Sequence, residues 1–498
     1  MGRAPSHQDD SPTNNPPKCD DVVGDSPPGG QPPQGQPPQG RECTSALPSE
    51  SVSSKSIFLP FEIISAVLEC LAAESSSCYA ISGDRAAREK QRRVQLTFSV
   101  LCRVSKTWHA VARPFLYRSP HLWPLNYFGF TITLWAASQA ESSFNPAPAC
   151  SLIRRLDLSG QVVDGRGKLN AHVVHRVRQT LEEFVAPPKS YGYEGVSALS
   201  GCVRLRVLDL SVVVSRLSVE DLMEPLSRLA QLRTFHFPPD VFEPPPWKIQ
   251  KQLESQAPVN WLAWPPKLEH LSLSGVVPQT LARESTLPST LKSLHLSACS
   301  STAPEIRDLV LGVGTQLTTL SIMGPMLHLG ASTLDGVLTL CPGLTDLFVS
   351  AEHISSHFFR DLRYTRRGEG GSTSPSGAQL DAKDNAAKTG GEKNIGILPG
   401  HPLARLELDS SGPSGLTQGP VAPGDVLAAV YEGRLPNLRV VRVSHHLGWT
   451  VGGSFQRVCE LTGVLQARAA MARDRDLSGV GVWEFGGADD NEVCGSKA

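Results

Sequence analysis

The chain has 498 residues, with 47 Lys and Arg against 48 Asp and Glu, a formal net charge of −1. That length leaves room for more than one domain and a large core, and the balance excludes the strongly basic footprint of a nucleic-acid or membrane-surface binder. Eleven scattered cysteines without a Cys-x-x-Cys pair point to reduced thiols and a cytoplasmic and/or nuclear protein.

Residues 1–56 hold eleven Pro and six Gly among few apolar side chains. Such a segment buries too little surface to offset its chain entropy, so a disordered tail is expected. The start is polar and lacks the apolar stretch of a signal peptide, and no segment is apolar enough to span a bilayer. Two Gln-Pro-Pro-Gln-Gly repeats (31–40) favour polyproline II.

Residues 57–118 read as a small helical domain. Pro60 suits a first helical turn, where its missing N–H costs nothing. Phe61, Ile64, Val67, Leu68 and Leu71 then recur at helical spacing. A polar insertion, 73–93, carries Arg85, Arg88, Lys90, Arg92 and Arg93 and is read as a solvated loop or helix face. A second helix follows with Leu96, Val100, Leu101, Val104 and Trp108, and Pro114 is expected to stop it.

From residue 119 to 485 a ladder of Leu-x-x-Leu-x-Leu segments dominates. After an expected capping strand (116–123) and helix (127–139), it starts at Ile153-Arg-Arg-Leu156-Asp-Leu158. It recurs at Leu181, Leu205, Leu232, Leu268, Leu291, Leu317, Leu344, Leu403 and Leu438. The unit is about 26 residues, inside the range of solenoid repeats. Helices are expected between strands, around Val219–Leu229, Ile306–Val310, Leu334–Leu340 and Val426–Val430. Residues 364–400, rich in Gly, Ser, Ala, Lys and Asp, read as a flexible insertion. A closing helix (455–473), a last strand (480–485) and a disordered end (486–498) complete the chain.

Side chains alternate along a strand, so the leucines face inward and the residues between them share the opposite face. That face carries Arg155 and Asp157, Val207 and Asp209, Thr234 and His236, His270 and Ser272. It continues through Ser293 and His295, Thr319 and Ser321, Asp346 and Phe348, Arg405 and Glu407, and Val440 and Arg442. Phe348 is an aromatic at an outward position, and aromatic and Arg side chains often anchor interfaces. Phe348, Arg405 and Arg442 are therefore the candidate substrate-binding residues; the alternative is that Phe348 packs under the 364–400 insertion.

No phosphate loop, His-Glu-x-x-His helix or Gly-x-Ser-x-Gly elbow occurs. His353 and His357 stand four apart without a third metal ligand. No catalytic residue, cofactor or metal is assigned, and no nucleic-acid or membrane partner is expected.

Leu59-Pro60-Phe61-Glu62-Ile63-Ile64 resembles the opening of an F-box, and Leu101-Cys-Arg-Val-Ser-Lys-Thr-Trp108 its later helices. Ala112-Arg-Pro-Phe-Leu-Tyr-Arg-Ser119 resembles the boundary that follows the motif in fungal-type F-box proteins with leucine-rich repeats. The 73–93 insertion is longer than that family usually has. The ladder resembles a leucine-rich repeat solenoid. The resemblance implies an α/β fold with a small helical F-box followed by the solenoid. It implies docking on the Skp-type linker subunit, and through it a cullin, of an SCF-type ubiquitin ligase. The docking residues would be Leu59, Pro60, Ile63, Ile64, Leu68, Val104 and Trp108, with Leu68 and Val104 open between docking face and internal core. The repeats would hold an unknown protein substrate for ubiquitination, and the chain itself would be non-catalytic. Two alternatives stand beside this reading: a repeat scaffold outside any ligase, and a GTPase-activating solenoid using Arg154 or Arg155.

Overall fold

The computed structural model describes residues 59–76, 85–139, 149–161, 165–242, 263–275, 287–360, 362, 400–410, 421–472, 479–486 and 491–492. The expected 1–56 tail and almost all of the 364–400 insertion lie outside the described residues.

Three helices open the described chain: α1 (Phe61–Ser76), α2 (Arg85–Leu101) and α3 (Lys106–Arg118). Ile64, Leu68, Phe98, Val111 and Ala112 form their buried core, with the Phe98 and Phe115 rings 5.7 Å apart. The single helix expected over 96–108 is two. The break falls at Ser105, whose hydroxyl accepts the N–H of Trp108 at 3.2 Å; a serine N-cap satisfies a donor that a continuing helix would have used otherwise. Pro114 does not stop α3, because Phe115 and Leu116 beyond it pack against the same core. Nor is 73–93 wholly an interruption. Its last part, Arg85–Arg93, is helical and extends α2, with Glu89 paired to Arg92 at 3.3 Å and Arg93 at 3.4 Å.

α4 (Pro124–Gln139) and a short α5 (Ala149–Leu152) lead into the sheet. The strand expected over 116–123 is absent, because α3 runs to Arg118; His121 makes one isolated bridge to Asp157. The sheet elements alternate with helices in chain order: β1 (Arg155–Asp157), α6 (Gly167–Val177), β2 (Glu183–Val185), α7 (Tyr193–Leu199), β3 (Val207–Asp209), β4 (Leu217–Ser218), α8 (Val219–Ser227), β5 (Thr234–His236) and β6 (Val241–Phe242). Then come β7 (His270–Ser274), β8 (Ser293–Ser297), α9 (Ala303–Val313), β9 (Thr319–Met323), α10 (Val337–Leu340) and β10 (Asp346–Ser350). β11 (Arg405–Asp409), α11 (Pro423–Tyr431), β12 (Val440–Ser444), α12 (Gly453–Met471), β13 (Gly481–Phe485) and β14 (Asn491–Glu492) end the series.

Twelve of these strands form one sheet in strict chain order, leaving β4 and β6 as a separate parallel pair. Every neighbouring pair is parallel except β13–β14. Parallel neighbours require a crossover back to the starting edge, which the intervening helices and loops supply. β14 lies in the stretch expected to be disordered; it pairs Glu492 with Trp483 and Asn491 with Glu484.

The inward positions align across the sheet. Leu156, Phe184, Leu208, Phe235, Leu271, Leu294, Leu320, Leu347, Leu406, Val441 and Val482 stand opposite one another in succession, each buried to 2% exposure or less. Helix residues such as Val173, Val196, Leu222, Val310 and Val430 belong to the same core. Local chemistry fixes the strand ends. Asp157 and Asp209 each accept the backbone N–H and hydroxyl of the serine two residues on, Ser159 and Ser211, an Asx-type turn. Glu305 and Asp425 reach back to the N–H groups of Thr302 and Ala422 at the starts of α9 and α11, as N3 carboxylates do. Gly275 leaves β7 at φ +69°, where a Cβ would strike the Pro239 carbonyl, so glycine is required twice over.

Leu294→Ala is expected to destabilise the fold by about 2–5 kcal/mol, read as a lower urea midpoint. Leu59→Ala, at a residue 42% exposed, should leave that midpoint nearly unchanged.

Candidate functional site

Two surfaces collect the residues singled out from the sequence. On the helical unit, α1 divides its apolar residues between two stripes. Ile64, Leu68 and Leu71 turn to the core. Leu59, Pro60, Phe61, Ile63 and Val67 are exposed. Ile64, expected on a docking face, and Leu68, open between docking face and internal core, are both buried, at 2% and 0% exposure. Val104 is 59% exposed in the turn before α3, and Trp108 is half-buried against the core. On α2, Leu96 and Val100 are also exposed, one turn apart on one side of the helix. A small unit with a complete interior thus retains a second set of apolar side chains in water.

On the sheet, the residues between the leucines form rows. One runs Asp157, Val185, Asp209, His236, Ser272, His295, Ser321, Phe348, Glu407, Arg442 and Trp483, each paired in register with the next. Its neighbour includes Arg155, Glu183, His270, Ser293, Asp346 and Arg405.

At its C-terminal end this face brings Phe348, Arg405 and Arg442 together. The Arg405 guanidinium lies 5.0 Å from the Phe348 ring centre, and that of Arg442 lies 5.4 Å from the Phe485 ring centre, within cation–π range. Glu407 links the two arginines, at 3.2 Å from Arg405 and 3.4 Å from Arg442. Its side chain is only 12% exposed. Two cations thus share one carboxylate beside two aromatic rings, and Trp483 stands opposite Arg442 in register. Phe485 and Trp483 were not singled out from the sequence, although alternation along the expected last strand places Trp483 on this face.

The middle of the face is different. His236, His270 and His295 stand among Ser272, Ser293 and Ser321. Burial, and then the neighbouring His236, hold His295 below its ordinary value near 6.5. At the N-terminal end Arg155 pairs with Glu183 at 2.7 Å and Asp157 at 3.7 Å, and Arg154 donates to the Thr180 carbonyl at 3.2 Å. Neither arginine is extended towards solvent in the manner of an arginine finger.

The thiols Cys202, Cys299 and Cys341 are buried, and burial pushes them up to about 12, 11 and 12 respectively. They stay protonated at neutral pH and are poor nucleophiles. His353 is buried while His357 is exposed beside Arg360, so the pair does not converge. Among the described residues, no group of three His, Cys, Asp or Glu is arranged to hold a metal ion, and no helix is long and apolar enough to cross a membrane.

No family model matches the chain. It is 25% identical over 359 residues to "F-box protein YDR306C" of Saccharomyces cerevisiae, covering 72% of this chain and 64% of that protein. It is 23% identical over 353 residues to "Protein pof5" of Schizosaccharomyces pombe, covering 71% of this chain and 85% of that protein. The chain therefore spans somewhat under two thirds of the length of the first relative. Both similarities are distant, and the first relative is named as an F-box protein.

Because His295 is held low in the fold, the unfolded chain takes up its proton first as pH falls. Stability should therefore be complete above about pH 6.5 and decline below it until the folded-state histidine also protonates. Unfolding midpoints between about pH 7 and pH 5 should fall less steeply in His295→Gln than in wild type. Glu407→Gln, which leaves two half-exposed arginines facing each other, should cost about 1 kcal/mol at low salt and less at high salt.

Proposed function

We propose that the chain is the substrate adaptor of an SCF-type ubiquitin ligase. Residues 57–118 are the F-box and dock on the Skp-type linker subunit. Residues 119–485 are a leucine-rich repeat solenoid whose strand face holds the protein to be ubiquitinated. The observation that carries this reading is the second apolar set on the helical unit. Leu59, Pro60, Ile63 and Val104 are exposed beside a core that does not need them, with Phe61, Val67, Leu96 and Val100 extending the set. Exposed apolar clusters of this kind mark interaction sites. Ile64 and Leu68 support the surface from within, and Trp108 bridges interior and surface. The name of the yeast relative supports the same assignment.

In this role the chain performs no chemistry of its own. It raises the effective concentration of a target near a ubiquitin-carrying enzyme recruited elsewhere in the assembly. Phe348, Arg405 and Arg442, with Glu407 and Phe485, are the proposed anchors for that target. Rigid aromatic rings suit this use because they lose little rotamer freedom on binding, and guanidinium groups because their planar fork is pre-organised for paired hydrogen bonds. The assignment places the chain in the cytoplasm, the nucleus or both.

Affinity purification of the tagged full-length chain tests the proposal, beside Leu59→Ala/Pro60→Ala and Phe348→Ala/Arg405→Ala/Arg442→Ala. Linker and cullin subunits should accompany wild type and the triple variant but be lost from the double variant. Other bound proteins should be lost from the triple variant alone. Failure of wild type to recover linker and cullin would refute the ligase role and leave a repeat scaffold.

A further inference from the structure

α4 is apolar on two sides. Tyr127, Thr131 and Leu134, at i, i+4 and i+7, are buried. Leu125, Phe128, Ile132 and Trp135, at i, i+3, i+7 and i+10, are 90%, 61%, 53% and 59% exposed. A surface helix ordinarily sets polar residues opposite its buried stripe, and one that is apolar all round is ordinarily covered. The exposed stripe runs from Leu125 to Trp135, about 15 Å along the axis.

The stripe borders a groove of about 360 Å³ between α4 and α6, floored by Leu169 and Val173. On the far wall Arg176 and His172 line the groove, with Arg176 donating to His172 Nε2 at 3.4 Å and His172 lying against Trp135 with ring centres 6.0 Å apart. The positive charge on that side comes from Arg176 and from Lys168, four residues before His172 and beyond the groove lining. All three α6 side chains are exposed. Gly167–Val177 contains no Asp or Glu, in a chain whose total charges nearly cancel.

We infer that the α4–α6 groove is the docking surface for an amphipathic helix of a partner protein, its apolar stripe flanked by Asp or Glu. An apolar floor with one cationic wall is complementary to that arrangement in both shape and charge. A second copy of this chain fits less well, since a two-fold contact sets each surface against itself and brings like-charged α6 helices together. A small acyl ligand fits less well too. Such ligands are mostly enclosed by their sites, whereas this stripe is open along its length. The groove lining shares no residue with the exposed apolar set on α1 and α2 or with the strand face.

The test is a selection of randomised helix-forming peptides of about four turns against the full chain, followed by fluorescence polarisation with the enriched sequences. Enriched peptides should carry apolar residues at helical spacing with Asp or Glu beside them. Phe128→Ser/Trp135→Ser should abolish their binding, and Lys168→Glu/Arg176→Glu should weaken it about tenfold. Since all four residues are exposed, unchanged unfolding midpoints should accompany both variants. The inference is overturned if no peptide is enriched, if the enriched peptides lack acidic residues, or if charge reversal leaves their affinity unchanged. It is also overturned if sedimentation shows wild type self-associating through this face, or if dodecanoate binds there in place of peptides, with either behaviour lost in Phe128→Ser/Trp135→Ser.

Discussion

The structure depends on one column of side chains. From Leu156 to Val482, each strand of the parallel sheet contributes a buried apolar residue directly opposite its neighbours. Because strand side chains alternate with a period of two, slipping any strand by one residue would bury its polar positions and expose its leucines. The column therefore fixes the register of the sheet, and the register fixes what lies on the other face. The meeting of Phe348, Arg405, Glu407 and Arg442 is a by-product of that constraint. These residues are distant in sequence and adjacent in space because Leu347, Leu406 and Val441 must stand opposite one another.

The edges of the sheet are handled differently from its middle. At the start, Arg154 donates its N–H to the Arg118 carbonyl at 2.9 Å and His121 bridges to Asp157, so the end of the helical unit covers the first strand. At the other end β14 adds an antiparallel strand. Open strand edges invite pairing with other chains, and both devices occupy them. The continuity of α3 past Pro114 serves the first of these, because it carries Arg118 to the edge of β1.

Much of the sheet was legible in the sequence because the signal repeats. Each Leu-x-x-Leu-x-Leu segment is short, but its recurrence at about 26 residues distinguishes strands from isolated apolar runs. The inward and outward assignments followed from alternation alone. What escaped were features set by packing rather than period. α6 carried its signal in Leu169, Val173, Val174 and Val177, between the rungs that start at Ile153 and Leu181. α7 is only seven residues long. The break between α2 and α3 rested on Ser105, one capping residue inside what otherwise read as an unbroken helix. Ile64 and Ile63 are adjacent, equally apolar and equally matched to the motif. Only the positions of α2 and α3 decide which one is enclosed.

The in-register rows also act as a ruler. Adjacent strands lie about 4.8 Å apart, so a partner lying across them meets Ser321, Phe348, Glu407, Arg442 and Trp483 at that interval. An extended peptide repeats its same-side residues about every 6.7 Å and would fall out of step within two strands. A helix repeats its stripe about every 5.4 Å and would stay nearly in step for three or four. If this face holds a partner as proposed, the spacing of the strands would favour one already helical along its contact surface over an extended peptide, whatever the single side chains are.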